Sequence, residues 1–217
     1  MKRTIHSTAI LLLLTLSSLL AQERESNCTT DSLIISTGWD RATDTSEVWR
    51  DADAYWRVIR IDVNPKPTSI ETGQAAIVPY QCMIPLGESR WINGSSELLE
   101  TADGTWTYQT IVCADEIPVK ASLRCDLLAS TETAIFFNGI ELARTGQNGA
   151  DHRLPFHVEA DLTPYIKAGE NLLTVEVTGF DQSFVGFDLL GSITARSQGE
   201  KKTFSCDRCG QVIPRER

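Results

Sequence analysis

The amino-acid sequence predicts an all-β domain, an antiparallel β-sandwich or barrel. Three observations carry this expectation. From Ser32 onward the apolar residues show almost no helical period. They fall in short runs bounded by Gly, Pro, Asn and Asp. Several runs alternate apolar and polar residues, the pattern of a strand with one buried face.

Taken in chain order, 33–36 (LIIS) leads to Gly38, and 55–63 (YWRVIRIDV) alternates until Asn64-Pro65 stops it. The run 75–80 (AAIVPY) ends near Pro85. The run 106–112 (WTYQTIV) follows Asp103-Gly104, read as a hairpin signal. The run 119–129 follows Pro118, and 133–142 carries Asn138-Gly139, the signature of a type I′ turn between two apolar stretches. The run 156–162 alternates. In 171–179, Leu173, Val175 and Val177 point one way and Thr174, Glu176 and Thr178 the other. The run 184–195 closes the domain, giving about nine strands. One short helical turn is expected over 162–166, with Thr163 as its cap, Pro164 in its first position and a left-handed Gly169 ending it.

Residues 1–21 read as a secretory signal peptide, with Lys2 and Arg3 before an apolar stretch from Ala9 to Leu20 and a small residue, Ala21, for cleavage. That stretch is short for a bilayer, which needs ~20 residues. Gln22, Glu23, Arg24 and Glu25 follow at once, and Cys28 stands too late for a lipoprotein anchor. Residues 22–31 then form a polar leader, 32–196 one domain, and 197–217 a charged tail. The 217 residues carry a net charge of −9. Losing Lys2 and Arg3 leaves 18 basic against 29 acidic residues, or −11. Such acidity argues against nucleic acid as a partner.

Export makes disulfides the default for Cys28, Cys82, Cys113, Cys125, Cys206 and Cys209, and the sequence does not select among their connectivities. Cys206 and Cys209 form a C-x-x-C. It lacks the second pair of a zinc ribbon and the strand-to-helix setting of a thioredoxin-like site.

The segments 121–146 (ASLRCDLLASTETAIFFNGIELARTG) and 156–177 (FHVEADLTPYIKAGENLLTVEV) resemble the galactose-binding-like jelly-roll domains. These serve as sugar-binding or accessory modules of bacterial secreted glycosidases. The matching positions are Ala121, Leu123, Asn138, Gly139, Asp161, Leu162, Thr163, Tyr165, Ile166, Gly169, Asn171, Leu173, Val175 and Val177. Asn171 is placed to bond the backbone of the connector before it. The opening Ile35-Ser36-Thr37-Gly38 and the later Asp53-Ala54-Tyr55-Trp56 resemble a variant in exported proteins of Bacteroidetes-like bacteria, with Ala54 where Pro is usual. The resemblance covers 32–196 and implies a jelly-roll sandwich. Its matching residues are turn and core positions, so it implies no particular ligand.

Sugar modules of this fold stack aromatic rings on sugar faces and take hydroxyls with carboxylates, amides and guanidinium groups. The candidates here are Trp39, Asp40, Trp49, Asp53, Arg90 and Trp91. Trp56 and Trp106, on alternating strands, read as core, and Trp91 has a core reading as well. Asp40, Asp51 and Asp53 are candidate ligands of a structural calcium ion, although their spacing fits no EF-hand loop and a solvated acidic loop is the commoner meaning. No other cofactor is expected. Of His152 and His157, neither accompanies a nucleophile motif, and His157 reads as a surface or core-edge residue. The expectation is a secreted, non-catalytic carbohydrate-binding module at the cell envelope, with no stable membrane insertion. The alternatives are a structural or adhesive module that binds an envelope protein, and, more remotely, a hydrolase with an unrecognised site.

Overall fold

The computed structural model describes residues 28–38, 52–64, 73–77, 86, 89, 91–93, 103–129, 131–145, 154–179, 185–199 and 203–204. These residues form eleven strands and no helix. In order they are β1 (Cys28–Ser36), β2 (Ala52–Asn64), β3 (Gly73–Ile77), β4 (Ile92–Asn93), β5 (Asp103–Ala114), β6 (Lys120–Ala129), β7 (Glu132–Phe137), β8 (Ile140–Arg144), β9 (Phe156–Asp161), β10 (Gly169–Gly179) and β11 (Gly186–Gln198). All pairings are antiparallel. One layer runs β8-β7-β10-β5-β2-β3; the other places β11 between β6 and β1, with β9 beyond β6. Two-residue β4 pairs with both β3 and β11 and so joins the layers. The protein is an all-β, antiparallel β-sandwich.

The alternation that predicts the strands also builds the core. Leu173, Val175 and Val177 of β10 are fully buried, while Thr174, Glu176 and Thr178 lie half-buried on the outer face. Burying each such aliphatic side chain contributes about 1.5–3 kcal/mol. Trp56 and Trp106 are buried as expected. Across the sandwich Phe187 meets Trp56 edge-on at 5.2 Å and Tyr108 at 5.0 Å, which ties β11 to β2 and β5. Gly191 lies where β11 crosses close to β6. A Cβ there would fall inside the contact distance of the Cys125 Cβ and the Arg124 carbonyl.

The turn chemistry holds at the hairpin. Asn138 and Gly139 take φ of 50° and 82° between β7 and β8. Asn171 does bond the connector: its Oδ1 accepts the Lys167 N–H at 2.9 Å, and its Nδ2 donates to the Lys167 carbonyl at 2.8 Å. Gly169 adopts a φ of 88°.

Residues 162–166 make the one short helical turn expected there, the N–H groups of Tyr165 and Ile166 both donating to the Leu162 carbonyl. Three local expectations change. The Thr163 hydroxyl accepts the Ala121 N–H at 3.0 Å, so it serves the start of β6 in place of capping. Asp103 and Gly104 are not a turn. They belong to β5, paired with Asn64 and Gly179. Strand β1 begins at Cys28, within the expected leader, because Cys28–Asp31 pairs with the end of β11.

Candidate functional site

Where β1 of one layer approaches β2 of the other, two buried aspartates hold the dipeptide Thr37-Gly38. Both carboxylates are fully buried. Asp53 Oδ1 accepts the N–H groups of Tyr55 and Trp56, each at 2.8 Å, and its Oδ2 accepts the Gly38 N–H at 2.5 Å. Asp188 Oδ1 accepts the Thr37 hydroxyl at 2.9 Å, and its Oδ2 accepts the Leu86 N–H at 2.7 Å. Thr37 is itself paired with Leu189, its N–H donating to the Leu189 carbonyl at 3.0 Å and its Oγ1 accepting the Leu189 N–H at 2.9 Å. Burial raises the Asp188 pKa above the usual carboxylate value, against the lowering effect of its donors Ser89, Leu86, Thr37 and Leu189.

This frame has a consequence for the segments that leave it. Residues 39–51 depart after Gly38 and return before Asp53, and the Asp53 carboxylate joins those two points. Arg90 stands between Ser89, whose N–H donates to the Leu86 carbonyl at 2.9 Å, and buried Trp91. Leu86 in turn is held by Asp188. The flanks of both expected binding segments therefore converge on Thr37-Gly38. Trp39, Asp40, Trp49, Asp51 and Arg90 themselves lie outside the described residues.

Asp53 is fully buried, and its two oxygens receive three backbone N–H groups, which gives it a part in holding the fold. Trp91 is buried against Leu128 and half-buried Leu86, so its core reading holds and it offers no stacking surface. Among the described residues no group of three His, Cys, Asp or Glu side chains could hold a metal ion. His157 is exposed, with Nδ1 at 2.9 Å from Asp126 Oδ1. His152 lies outside the described residues. Beside the frame, Leu33, Ile35, Tyr55, Trp56, Thr110 and Val112 line a crevice of about 20 Å³. That is room for a water molecule, not a sugar ring.

The cysteines also change. Cys125 is a free, buried thiol on β6, and burial pushes its pKa up to about 12. Cys113 is disulfide-bonded. The side chains of the other four lie outside the described residues. With Cys125 unpaired, five cysteines remain, so at least one more in this chain stays outside an internal disulfide.

The sequence reading missed Thr37, Leu86, Ser89 and Asp188 as members of one network. The available signal was Asp188 itself, a lone acid inside the apolar run Phe187-Asp188-Leu189-Leu190. An acid in such a run must be buried with donors around it.

Fold and frame define a β-sandwich with a buried polar network around Thr37-Gly38. No protein-family model and no curated protein matches the chain. Among solved structures it is similar to part of a glycosyl hydrolase family 2 member from Bacteroides cellulosilyticus, at 16% identity and a TM-score of 0.38, covering 70% of this chain and 21% of that one. It is similar to part of an FMN-binding β-glucuronidase from Facaelibacterium prausnitzii, at 15% identity and a TM-score of 0.39, covering 77% and 23%. It is also similar to a family 35 carbohydrate binding module from Clostridium thermocellum, at 12% identity and a TM-score of 0.32, covering 63% and 90%. The chain spans about a fifth of the length of the two glycosidases. Likeness at this level carries no argument about function.

Proposed function

We propose that the protein is an exported, non-catalytic carbohydrate-binding module. One observation supports this reading above the others: a single buried frame gathers the flanks of the segments bearing Trp39, Asp40, Trp49, Asp51 and Arg90. A sugar site needs this arrangement, because stacking rings and hydroxyl-binding groups must converge from separate segments onto one rigid base. In this reading Trp49 and Trp39 stack on the sugar, and Arg90 and Asp40 take its hydroxyls. Any structural calcium rests on Asp40, Asp51 and Asp53. The test is a glycan array followed by titration of the strongest ligand, in calcium and in EDTA. Trp49→Ala should weaken binding at least about tenfold with an unchanged melting temperature. A silent array in both media, with no effect of Trp49→Ala on any saccharide, would end the proposal.

A second reading, a structural or adhesive envelope module without sugar, has one observation in its favour. The polar side chains of the frame, Thr37, Asp53, Ser89 and Asp188, are buried and hold the fold together. That reading expects a specific envelope protein in a crosslinking pull-down and no saccharide shift.

A further inference from the structure

Three consecutive residues of β11 receive the segments that meet in the frame. Phe187 pairs with Ile92 of β4 and meets the Trp56 ring edge-on. Asp188 accepts the Thr37 hydroxyl and the Leu86 N–H. Leu189 exchanges two hydrogen bonds with Thr37.

What Asp188 holds on one side is itself closed. The N–H and the hydroxyl of Ser89 both donate to the Leu86 carbonyl, at 2.9 and 2.5 Å. Trp91 packs on Leu128, the residue opposite Asp188 on β6. The stretch that begins at Leu86 and ends at Ile92 is thus fastened at both ends onto Phe187-Asp188, and a displacement of Leu86 carries Ser89 with it.

On the other side, Thr37 and Gly38 share one planar peptide unit. Thr37 is pinned to β11, and the N–H of that unit donates to Asp53 of β2. Rotating the unit away from Asp53 turns Thr37, and turning Thr37 breaks its bonds to Asp188 and Leu189. Thr37 is therefore the residue through which the Asp188 carboxylate reaches Gly38. A packed interior passes such a displacement on, because it holds discrete arrangements and does not deform continuously.

We propose that Asp188 is a positioning residue, which makes the Gly38 anchor and the Leu86–Ser89 anchor open and close as one unit. It acts on a ligand only through the segment ends it holds, and for that consequence the inference rests on the carbohydrate reading.

The test is native-state amide exchange of the whole chain, followed residue by residue by NMR in EDTA. The β10 amides of Leu173 and Val175 report global unfolding. Asp188→Asn keeps one acceptor and turns a donor toward the other donor. It should speed exchange at Leu86, which Asp188 holds, and also at Gly38, whose own acceptor is Asp53, in each case at least about threefold beyond any change in β10. Coupling between sites is reciprocal, so Asp53→Asn should speed exchange at Leu86 by a similar factor. Thr37→Val keeps the shape, removes the linking hydroxyl and should speed both. Acceleration confined to each aspartate's own donors overturns the proposal, because the two anchors are then independent. An equal rise at Gly38, Leu86 and the β10 amides also overturns it, because Asp188 is then a general support of the fold. A silent glycan array ends the carbohydrate reading and leaves these amides to decide the coupling. Where a saccharide binds, Asp188→Asn should weaken it at least about threefold, and an unchanged affinity overturns the positioning role.

Discussion

Replacing Asp53 by Ala is the sharpest test of the frame, because two roles for the same carboxylate predict different outcomes. Asp53 is fully buried and accepts three backbone N–H groups, at 2.8, 2.8 and 2.5 Å. A hydrogen bond to a charged group contributes about 1.5–3 kcal/mol, and a buried donor left without a partner carries a desolvation cost of similar size. The three are not additive, and water entering the vacated space would satisfy part of the loss, so the expected cost is ~3–5 kcal/mol. At ~2–4 °C per kcal/mol for a domain of this size, Asp53→Ala should melt roughly 6–20 °C lower. Asp53→Asn should lose about half as much, since its amide keeps one acceptor and turns a donor toward another donor. The assay is differential scanning calorimetry in calcium and in EDTA. If Asp53 clamps the segment ends, the loss is the same in both media. A melting temperature unchanged in EDTA, with a calcium-dependent increment that Asp53→Ala abolishes, would refute this and restore Asp53 as a metal ligand.

Three other outcomes follow from the same geometry. Asp188 has its folded pKa raised by burial, so its contribution to stability is fully present below the unfolded pKa of about 3.9 and is lost as pH rises through the folded value. Thermal melts of Asp188→Asn against wild type should therefore shift in favour of the variant as pH climbs from about 4 to 7; a gap constant over that range contradicts the raised pKa. Cys125 should resist iodoacetamide in the native protein at neutral pH and react once unfolded, read by mass spectrometry, and native alkylation at Cys125 would show that the thiol is not buried. Gly191→Ala should cost ~1–3 kcal/mol or more by forcing β11 away from Cys125 and Arg124, and a denaturant midpoint equal to wild type would show that the strands are not that close.

Most strands were legible because each displays its own evidence. Period-two runs such as 171–179 bury one face whatever their partner, and Asn138-Gly139 encodes a left-handed turn on its own. What stayed hidden depends on partners remote in sequence. Strand β4 is two residues long and carries no period. Cys28–Asp31 looks like a polar leader and becomes strand only because the end of β11 offers it a ladder. Asp103-Gly104 has turn chemistry but is held extended between β2 and β10. The frame was hidden for the same reason. Asp53 sits among loop acids such as Asp40 and Asp51, and nothing in one sequence separates an acid that receives three backbone N–H groups from one that faces water.

The same contrast explains why the resemblance to galactose-binding-like domains informs the fold and leaves the ligand open. Its most distinctive residues, Asn138, Gly169 and Asn171, all act on backbone. Asn138 Oδ1 accepts the Leu172 N–H at 2.9 Å, and its Nδ2 donates to Asn171 Oδ1 at 2.9 Å and lies 2.9 Å from the Tyr165 carbonyl. Asn171, fully buried, bonds the Lys167 backbone on both sides and also reaches the Val112 carbonyl at 3.3 Å. Two asparagines thus lock the β7–β8 hairpin tip, the 162–169 connector and the end of β5 into one corner of the sandwich. Any sequence with this corner needs those residues, because a buried backbone group without a partner costs more than the motif constrains. The residues that carry the resemblance are therefore turn and core positions. The decisive measurements belong on Trp39, Trp49 and Arg90, with the Asp53 frame left intact.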